Sequence, residues 1–241
     1  KTMDQVKTPS TGYGGKMELR PPVSTDHVVR IGADVRITQG TLYEEPFNAA
    51  SGLRTALRRA GGRNDTIGFY LEDDWTMGRV TLTAGARADR WRVAGGFYRE
   101  ASPAGVVTTD RHFANRSGWE SNLRGGLVWR ATDTVSLRAA GYTGFRQPTL
   151  NELYRPFMVF PITTQANADL KNERLRGYEA GVEFTPASSV SLSLTAFDNR
   201  LNNAVANVTL SPTVRQRQNV DAIHVRGLEL EGHAILGTVS F

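Results

Sequence analysis

The segment Val190-Ser191-Leu192-Ser193-Leu194-Thr195-Ala196 decides how the rest of this sequence is interpreted. Its apolar side chains stand at every second position, with Ser or Thr between them. Since successive side chains of a β-strand point to opposite faces, this period of two predicts a strand with one apolar and one polar face. Three other runs share the pattern, at residues 29–37, 80–89 and 135–142.

The predicted strands are long. The runs at about residues 25–39, 79–93, 134–145 and 189–202 exceed the usual strand length of about 5–6 residues. They match the roughly 10 residues that a strand needs to cross a bilayer at a tilt. Similar but weaker runs alternate with them, which makes nine or ten strands in all. These return strands are predicted at about residues 12–20, 66–76, 120–130, 174–185 and 220–233, with a further strand ending at Phe241.

The connections between these strands alternate in length. Short turns are predicted at 21–25, 77–78, 131–133, 186–188 and 236–237, and long polar, irregular connections at about 40–65, 94–118, 146–172 and 203–219. Outer-membrane barrels place short turns on the periplasmic side and long loops outside the cell. The pattern therefore predicts an all-β, antiparallel, up-and-down transmembrane barrel, of which this chain supplies a part.

The polar face of the strands carries charged residues. Charged side chains facing lipid are destabilising, so we expect these residues to face the barrel interior. They are Arg36, Arg87, Asp89, Arg138, Glu183, Glu229 and Glu231. Large aromatic residues near strand ends suit the interfacial girdles of such a barrel, and they are Trp75, Trp91, Trp129, Phe145 and Phe184.

Composition narrows the function classes. The chain has no Cys, which excludes disulfides and thiolate metal sites. It has 29 basic and 24 acidic residues; four of the basic ones are Lys, which leaves 25 Arg. Arg suits bidentate capture of anionic ligands, although a genome rich in G and C would also favour Arg codons. The Arg residues form no basic run, so nucleic acid is not expected as a partner.

Two segments carry a resemblance to a known family. The first is Gly144-Phe145-Arg146-Gln147-Pro148-Thr149-Leu150-Asn151-Glu152-Leu153-Tyr154. The second runs from Asn167-Ala168-Asp169-Leu170-Lys171-Asn172-Glu173 to Tyr178-Glu179-Ala180-Gly181-Val182-Glu183-Phe184. Together they resemble a signature in the C-terminal half of the β-barrel of TonB-dependent outer-membrane receptors. Gln147, where the family often has Ala, and Ala168 and Asn172, in place of common prolines, depart from it.

The resemblance implies a barrel of 22 strands in the bacterial outer membrane, with an N-terminal plug domain inside it and a segment that binds the TonB complex. Since barrel diameter grows with strand number, nine or ten strands cannot enclose a plug. We therefore expect residues 1–241 to be one part of the barrel domain, without the plug and without the TonB-binding segment. The expected partners are outer-membrane lipid, the plug of the same protein and the TonB complex.

The resemblance also implies a scarce nutrient as ligand. Ferric siderophores are the usual ligands, and cobalamin, haem and oligosaccharides are the rivals; the Arg excess favours an anionic chelate. The candidate ligand-binding residues lie in the predicted extracellular loops. They are Arg111, Arg116, Arg146, Tyr154, Arg155, Phe157, Arg215 and Arg217. For Arg146, charge-assisted pairing with Glu152 and Glu173 at the base of its loop is a competing structural role.

Enzymatic chemistry is not predicted. No nucleophile elbow, P-loop or zinc-protease motif occurs, and the four His residues are isolated. We expect neither a cofactor nor a metal site. Three other classes stay open: a passive porin-like channel, an outer-membrane barrel hydrolase, and a soluble β-sandwich.

Overall fold

The computed structural model describes residues 2–236 and 239–240. It contains one short helix and strands of very unequal length. In chain order the elements are β1 (Met3–Lys7), β2 (Ser10–Leu19), β3 (His27–Pro46), β4 (Leu57–Met77), β5 (Val80–Ala101), β6 (Val107–His112), β7 (Arg116–Arg130), β8 (Val135–Arg146), α1 (Leu150–Tyr154), β9 (Phe157–Val159), β10 (Ile162–Gln165), β11 (Glu173–Ala187), β12 (Val190–Ser211), β13 (Val214–Leu236) and β14 (Val239–Ser240). The helix is too short to cross a membrane.

The long strands form one antiparallel meander in the order β3, β4, β5, β7, β8, β11, β12, β13. β1 and β2 both pair with β3, and β14 pairs with β13. Every strand expected from the sequence at residues 12–233 is present. Among the described residues β2 and β13 do not pair with each other, so the sheet is an open part of a barrel wall. The expected turn at Gly237 and the terminal Phe241 lie outside the described residues.

One face of this wall is apolar. Rows of directly opposed residues such as Val182, Leu194 and Leu230 run across neighbouring strands, and all three side chains are exposed. Exposed apolar rows of this kind are what a lipid-facing barrel surface requires. Trp75, Trp129 and Phe184 are also exposed, close to the short turns.

The other face is polar, as the alternation predicted. Arg87 donates to Asp34 at 2.5 Å and to Asp89 at 2.9 Å, and the Asp89 side chain is only 1% exposed. Glu183, Ser193 and Glu231 form another row on this side. The ion pairs of Arg87 with Asp34 and Asp89 therefore compensate these inward charges. Trp91 also points inward, against the expectation that it belongs to an outer girdle, because it packs on a buried cluster described below.

The expected irregular loops are mostly continuations of the wall. β12 reaches Ser211 and β13 begins at Val214, so residues 203–219 form a hairpin with a two-residue turn. β3, β4 and β5 likewise extend well into the segments expected to be irregular. The alternation of apolar and polar residues is weaker there, because strands that rise above the membrane no longer need an apolar outer face. Their backbones still pair. Residues 147–172, between β8 and β11, come closest to the long irregular connection that the sequence predicted, since they contain only α1 and the short strands β9 and β10.

The two faces predict opposite responses to an added charge. Leu194→Arg in the full-length protein should lower the free energy of unfolding by about 2–4 kcal/mol, because it places a charge in the lipid-facing rows. Ser193→Arg is the matched control, since its inward side chain lies between Glu183 and Glu231 and should change stability little. Equilibrium unfolding in lipid vesicles measures both. Equal losses for the two variants would contradict the assigned faces.

Candidate ligand-binding site

Residues 147–172, which we call the strap, cross the inner face of the wall. The helix α1 packs on β4 and β5, whereas β10 pairs in parallel with β13 through Thr163–Gln165 and Val214–Gln216. Five strands separate β4 from β13 in the sheet order. The strap therefore ties distant strands of the wall together at their extracellular ends.

The helix in the strap has a local sequence cause. The Thr149 side chain accepts a hydrogen bond from the Glu152 backbone N–H at 3.2 Å, and the Glu152 carboxylate accepts one from the Thr149 N–H at 2.7 Å. This capping box satisfies two backbone donors at the start of the helix. The spacing Thr-x-x-Glu was visible in the sequence and could have predicted the helix.

Apolar packing holds the strap against the wall. Leu153, Tyr154 and Leu170 are almost fully buried, and they form one cluster with Ala60 and Val93 of the wall strands. The Tyr154 ring stacks on Phe113 with centroids 4.8 Å apart. A side chain on Gly96 would occupy the space of this ring, so the missing Cβ at that position makes the seat for Tyr154.

Arg146 links the base of the strap to the wall. Its guanidinium donates to Glu152 at 2.9 Å and also binds Glu173, whose carboxylate accepts from the Val205 N–H at 2.7 Å. Burial by itself would raise the pKa of Glu152, but the hydrogen bonds from Arg146 and Thr149 outweigh it and hold that pKa below its usual 4.5. Both carboxylates raise the pKa of Arg146. The charge-assisted pairing expected from the sequence is confirmed.

Three further candidates hold the strap through hydrogen bonds. Arg116 donates to the carbonyls of Ala168 and Leu170, at 2.5 and 2.9 Å. Arg155 pairs with Glu44 of β3, and its Nε lies 3.0 Å from the carboxylate. Arg217 of β13 donates to two strap carbonyls. Burial lowers the pKa of Arg217, which makes its charge costly unless it is solvated or paired.

The remaining candidate residues make fewer contacts. The Arg217 guanidinium lies 5.0 Å from the ring centroid of Phe157, at the start of β9. Arg111 on β6 and Arg215 on β13 are exposed. Within the described part of the chain neither side chain forms an ion pair or hydrogen bond. The structure brings six of the eight candidates together in and around the strap, while Arg111 and Arg215 extend from hairpins beside it. The six are Arg116, Arg146, Tyr154, Arg155, Phe157 and Arg217.

Below the strap the inner face forms an open depression of about 1160 Å³. Asn64 and Gln147 line its upper part. The Asn64 Oδ1 and Gln147 Nε2 atoms are buried and have no hydrogen-bond partner among the described residues. Such atoms are rare in native proteins unless a ligand, water or another chain segment completes them. The sequence analysis named Gln147 only as part of the motif, and it assigned neither residue to a binding site. The described residues contain no group of His, Asp or Glu that could hold a metal ion.

The family model for the TonB-dependent receptor-like β-barrel matches residues 2–240. The chain belongs to the TonB-dependent receptor family. It is thus a piece of a bacterial outer-membrane barrel, as its two faces require.

Similar proteins differ in what their names say they bind. The chain is 32% identical to the hemoglobin and hemoglobin-haptoglobin-binding protein B of Haemophilus influenzae over 123 residues, which is 46% of this chain and 11% of that protein. It is 24% identical to the vitamin B12 transporter BtuB of Vibrio vulnificus over 197 residues, which is 81% of this chain and 27% of the transporter. The chain thus spans less than a third of either relative.

Solved structures show the same fold. The ferric yersiniabactin uptake receptor FyuA of Yersinia pestis aligns with a TM-score of 0.71 at 13% identity, over 96% of this chain and 34% of the receptor. The copper transporter OprC aligns with a TM-score of 0.70 at 15% identity, over 96% of this chain and 36% of the transporter.

The seat of Tyr154 can be tested by filling it. Gly96→Ala should displace the Tyr154 ring, weaken docking of the strap by about 1–3 kcal/mol and expose residues 147–172 to protease. Gly144→Ala is the matched control, because a Cβ there meets no atom within 4 Å. Limited proteolysis of the folded full-length protein gives the measurement. A strap equally protected in both variants would show that the seat does not hold it.

Strap docking should also depend on pH. The pKa of Glu152 is lowered in the folded state, so its carboxylate stabilises docking of the strap fully above pH 4.5. This stabilisation is lost as the pH falls below 4.5 through the lowered pKa. Fluorescence of Trp91 reports docking in a full-length variant in which every other Trp, including the three others of this chain, is replaced by Phe. Glu152→Gln should reduce this acid dependence. If the acid transition were unchanged by that substitution, groups other than Glu152 would be responsible for it.

Proposed function

We propose that this chain is the ligand-capturing part of a receptor for TonB-dependent uptake of a ferric siderophore. Membership of the family supports uptake across the outer membrane. The single observation that favours an anionic ligand is the pair Arg111 and Arg215, two exposed guanidinium groups without an acidic partner among the described residues. Structural similarity to a ferric yersiniabactin uptake receptor is consistent with this ligand class.

In the proposed mechanism the strap positions the binding surface. Arg116, Arg146, Arg155, Arg217 and Tyr154 fix the strap, and Phe157 lies on its exposed part. An anionic chelate that enters between the hairpins gives Arg111 and Arg215 the acidic partner that the wall does not supply. Arg forms charge-assisted, often bidentate, hydrogen bonds with carboxylate or phenolate oxygens, which gives orientation as well as affinity.

Transport itself requires segments outside this chain. We infer that residues 1–241 belong to the barrel domain and that the plug and the TonB-binding segment lie elsewhere in the same protein. The inward charged network and the depression beneath the strap face the space that such a plug would fill, and Asn64 and Gln147 offer it unpaired polar atoms. The proposed role is that of a receptor and transporter and not that of an enzyme.

A cobalamin receptor is the second candidate. It is favoured by similarity to a vitamin B12 transporter over most of this chain. Haem and oligosaccharides remain rival ligands, and a passive porin-like channel is the rival mechanism. A passive channel would conduct ions in planar bilayers with its complete sequence intact, whereas a plugged receptor would not.

Binding assays on the purified full-length receptor test the ligand. We expect a panel of ferric siderophores to include a binder, and Arg111→Gln combined with Arg215→Gln to weaken that binding at least about tenfold, since each charge-assisted hydrogen bond contributes about 1.5–3 kcal/mol. Arg20→Gln combined with Arg79→Gln removes the same charge near the short turns and should have no effect. Binding of cobalamin, haem or a glycan without any ferric siderophore would overturn the ligand assignment.

A further inference from the structure

The outer face of β11, β12 and β13 carries a group of charged residues directly above its apolar rows. We call it the outer basic cluster. Its members are Arg176, Asp198, Arg200, His224 and Arg226. They alternate in step with the lipid-facing residues Val182, Leu194 and Leu230, so they lie on the outside of the wall, opposite the strap and the depression.

Arg176 and Arg200 face each other, and no acidic residue in the described part of the chain neutralises either charge. Arg176 stands directly opposite Arg200 across β11 and β12, and Arg200 stands directly opposite His224 across β12 and β13. Directly opposed like charges in a sheet are destabilising. Arg176 makes no hydrogen bond or ion pair with any described residue, and Arg200 donates only to Asn202, at 3.2 Å.

The acidic residues nearby are already engaged. Asp198, the one carboxylate in the cluster, accepts from His224 at 2.7 Å through one oxygen and from Arg226 at 2.7 Å through the other. Arg174 pairs with Glu120 of β7 at 3.0 Å. Two positive charges, those of Arg176 and Arg200, are therefore left over on this surface.

Their height on the wall identifies their surroundings. Arg176 lies eight positions before Phe184, which marks the lower end of the apolar rows. At about 3.3 Å per residue and a tilt of about 35–45°, that places Arg176 about 20 Å above Phe184, near the upper edge of an apolar band about 25 Å tall. Tyr178, 57% exposed, lies in the row beneath Arg176 and suits the membrane interface.

A similar arrangement lies on the outer face of β5. Arg90 stands eight positions beyond Leu82 of the apolar rows, exposed, with its guanidinium 5.9 Å from the ring centroid of Trp119. Arg92 follows on the same face, opposite Asp65. Outward-pointing arginines thus recur at one height around the wall, where the headgroups of the outer leaflet lie.

We propose that the outer basic cluster is a binding site for a phosphorylated glycolipid of the outer leaflet, and that Arg176 and Arg200 bind its phosphate groups. The guanidinium fork matches phosphate oxygens in a bidentate manner. A headgroup with two phosphates fits two uncompensated arginines on adjacent strands, while its acyl chains would lie along the apolar rows beneath them. The site is on the outside of the wall and does not depend on which nutrient the receptor takes up.

The test uses the full-length receptor, delipidated in a neutral detergent, and lipid A carrying two phosphates. Binding is measured by native mass spectrometry and by the rise in melting temperature. Arg176→Gln combined with Arg200→Gln should weaken binding at least about tenfold, and salt should weaken binding to the unmodified receptor. Arg54→Gln combined with Arg99→Gln removes two positive charges from exposed hairpins and should leave binding unchanged.

A second readout separates lipid binding from a structural role. Without lipid, Arg176→Gln should leave the melting temperature unchanged or raise it, since it removes repulsion from Arg200, whereas a structural arginine would lower the melting temperature when replaced. Weaker binding of dephosphorylated lipid A would support the proposal. Unchanged lipid A binding by the double variant, equal binding of phosphatidylglycerol, or a lower melting temperature of lipid-free Arg176→Gln would overturn it.

Discussion

Backbone pairing in a medium without water is the constraint on which this structure depends. Inside a bilayer every N–H and C=O group needs a partner within the protein, and a sheet meets that need only if each spanning strand has neighbours on both sides. The unbroken antiparallel meander from β3 to β13 provides those partners. Once the wall is fixed in this way, its alternation sends apolar side chains outward and charged ones inward. The space enclosed by the inward face is where the strap folds back and docks.

The wall could be predicted from the sequence because its strands alternate between apolar residues that face lipid and polar residues that face the barrel interior. Val190–Ala196 shows the period of two without interruption, and the strands with similar runs all appear in the structure. Strand ends were harder to predict. Above the membrane both faces of residues 203–219 meet water, so the contrast between neighbouring positions disappears although the backbone pairing continues.

The candidate site was predictable only where its contacts are local or belong to a recognised motif. The pairing of Arg146 with Glu152 and Glu173 followed from the motif. Burial of Tyr154 did not, because its seat is made by Gly96, a residue far away in the sequence whose contribution is an absent side chain. The uncompensated Arg176 was equally hidden, since only the strand register shows that its opposite neighbour is another arginine.

Site-directed spin labelling along β12 tests the central claim, that this chain is a membrane-spanning wall with a lipid face and an inner face. The absence of Cys lets single labels be placed within this chain at positions 191–196 without background from it. In the full-length receptor in vesicles, labels at 192, 194 and 196 should be accessible to oxygen dissolved in the bilayer. Labels at 191, 193 and 195 should be shielded from oxygen and instead be buried or accessible to a water-soluble nickel complex. Accessibility without this period of two, or access of the nickel complex to every position, would contradict the account.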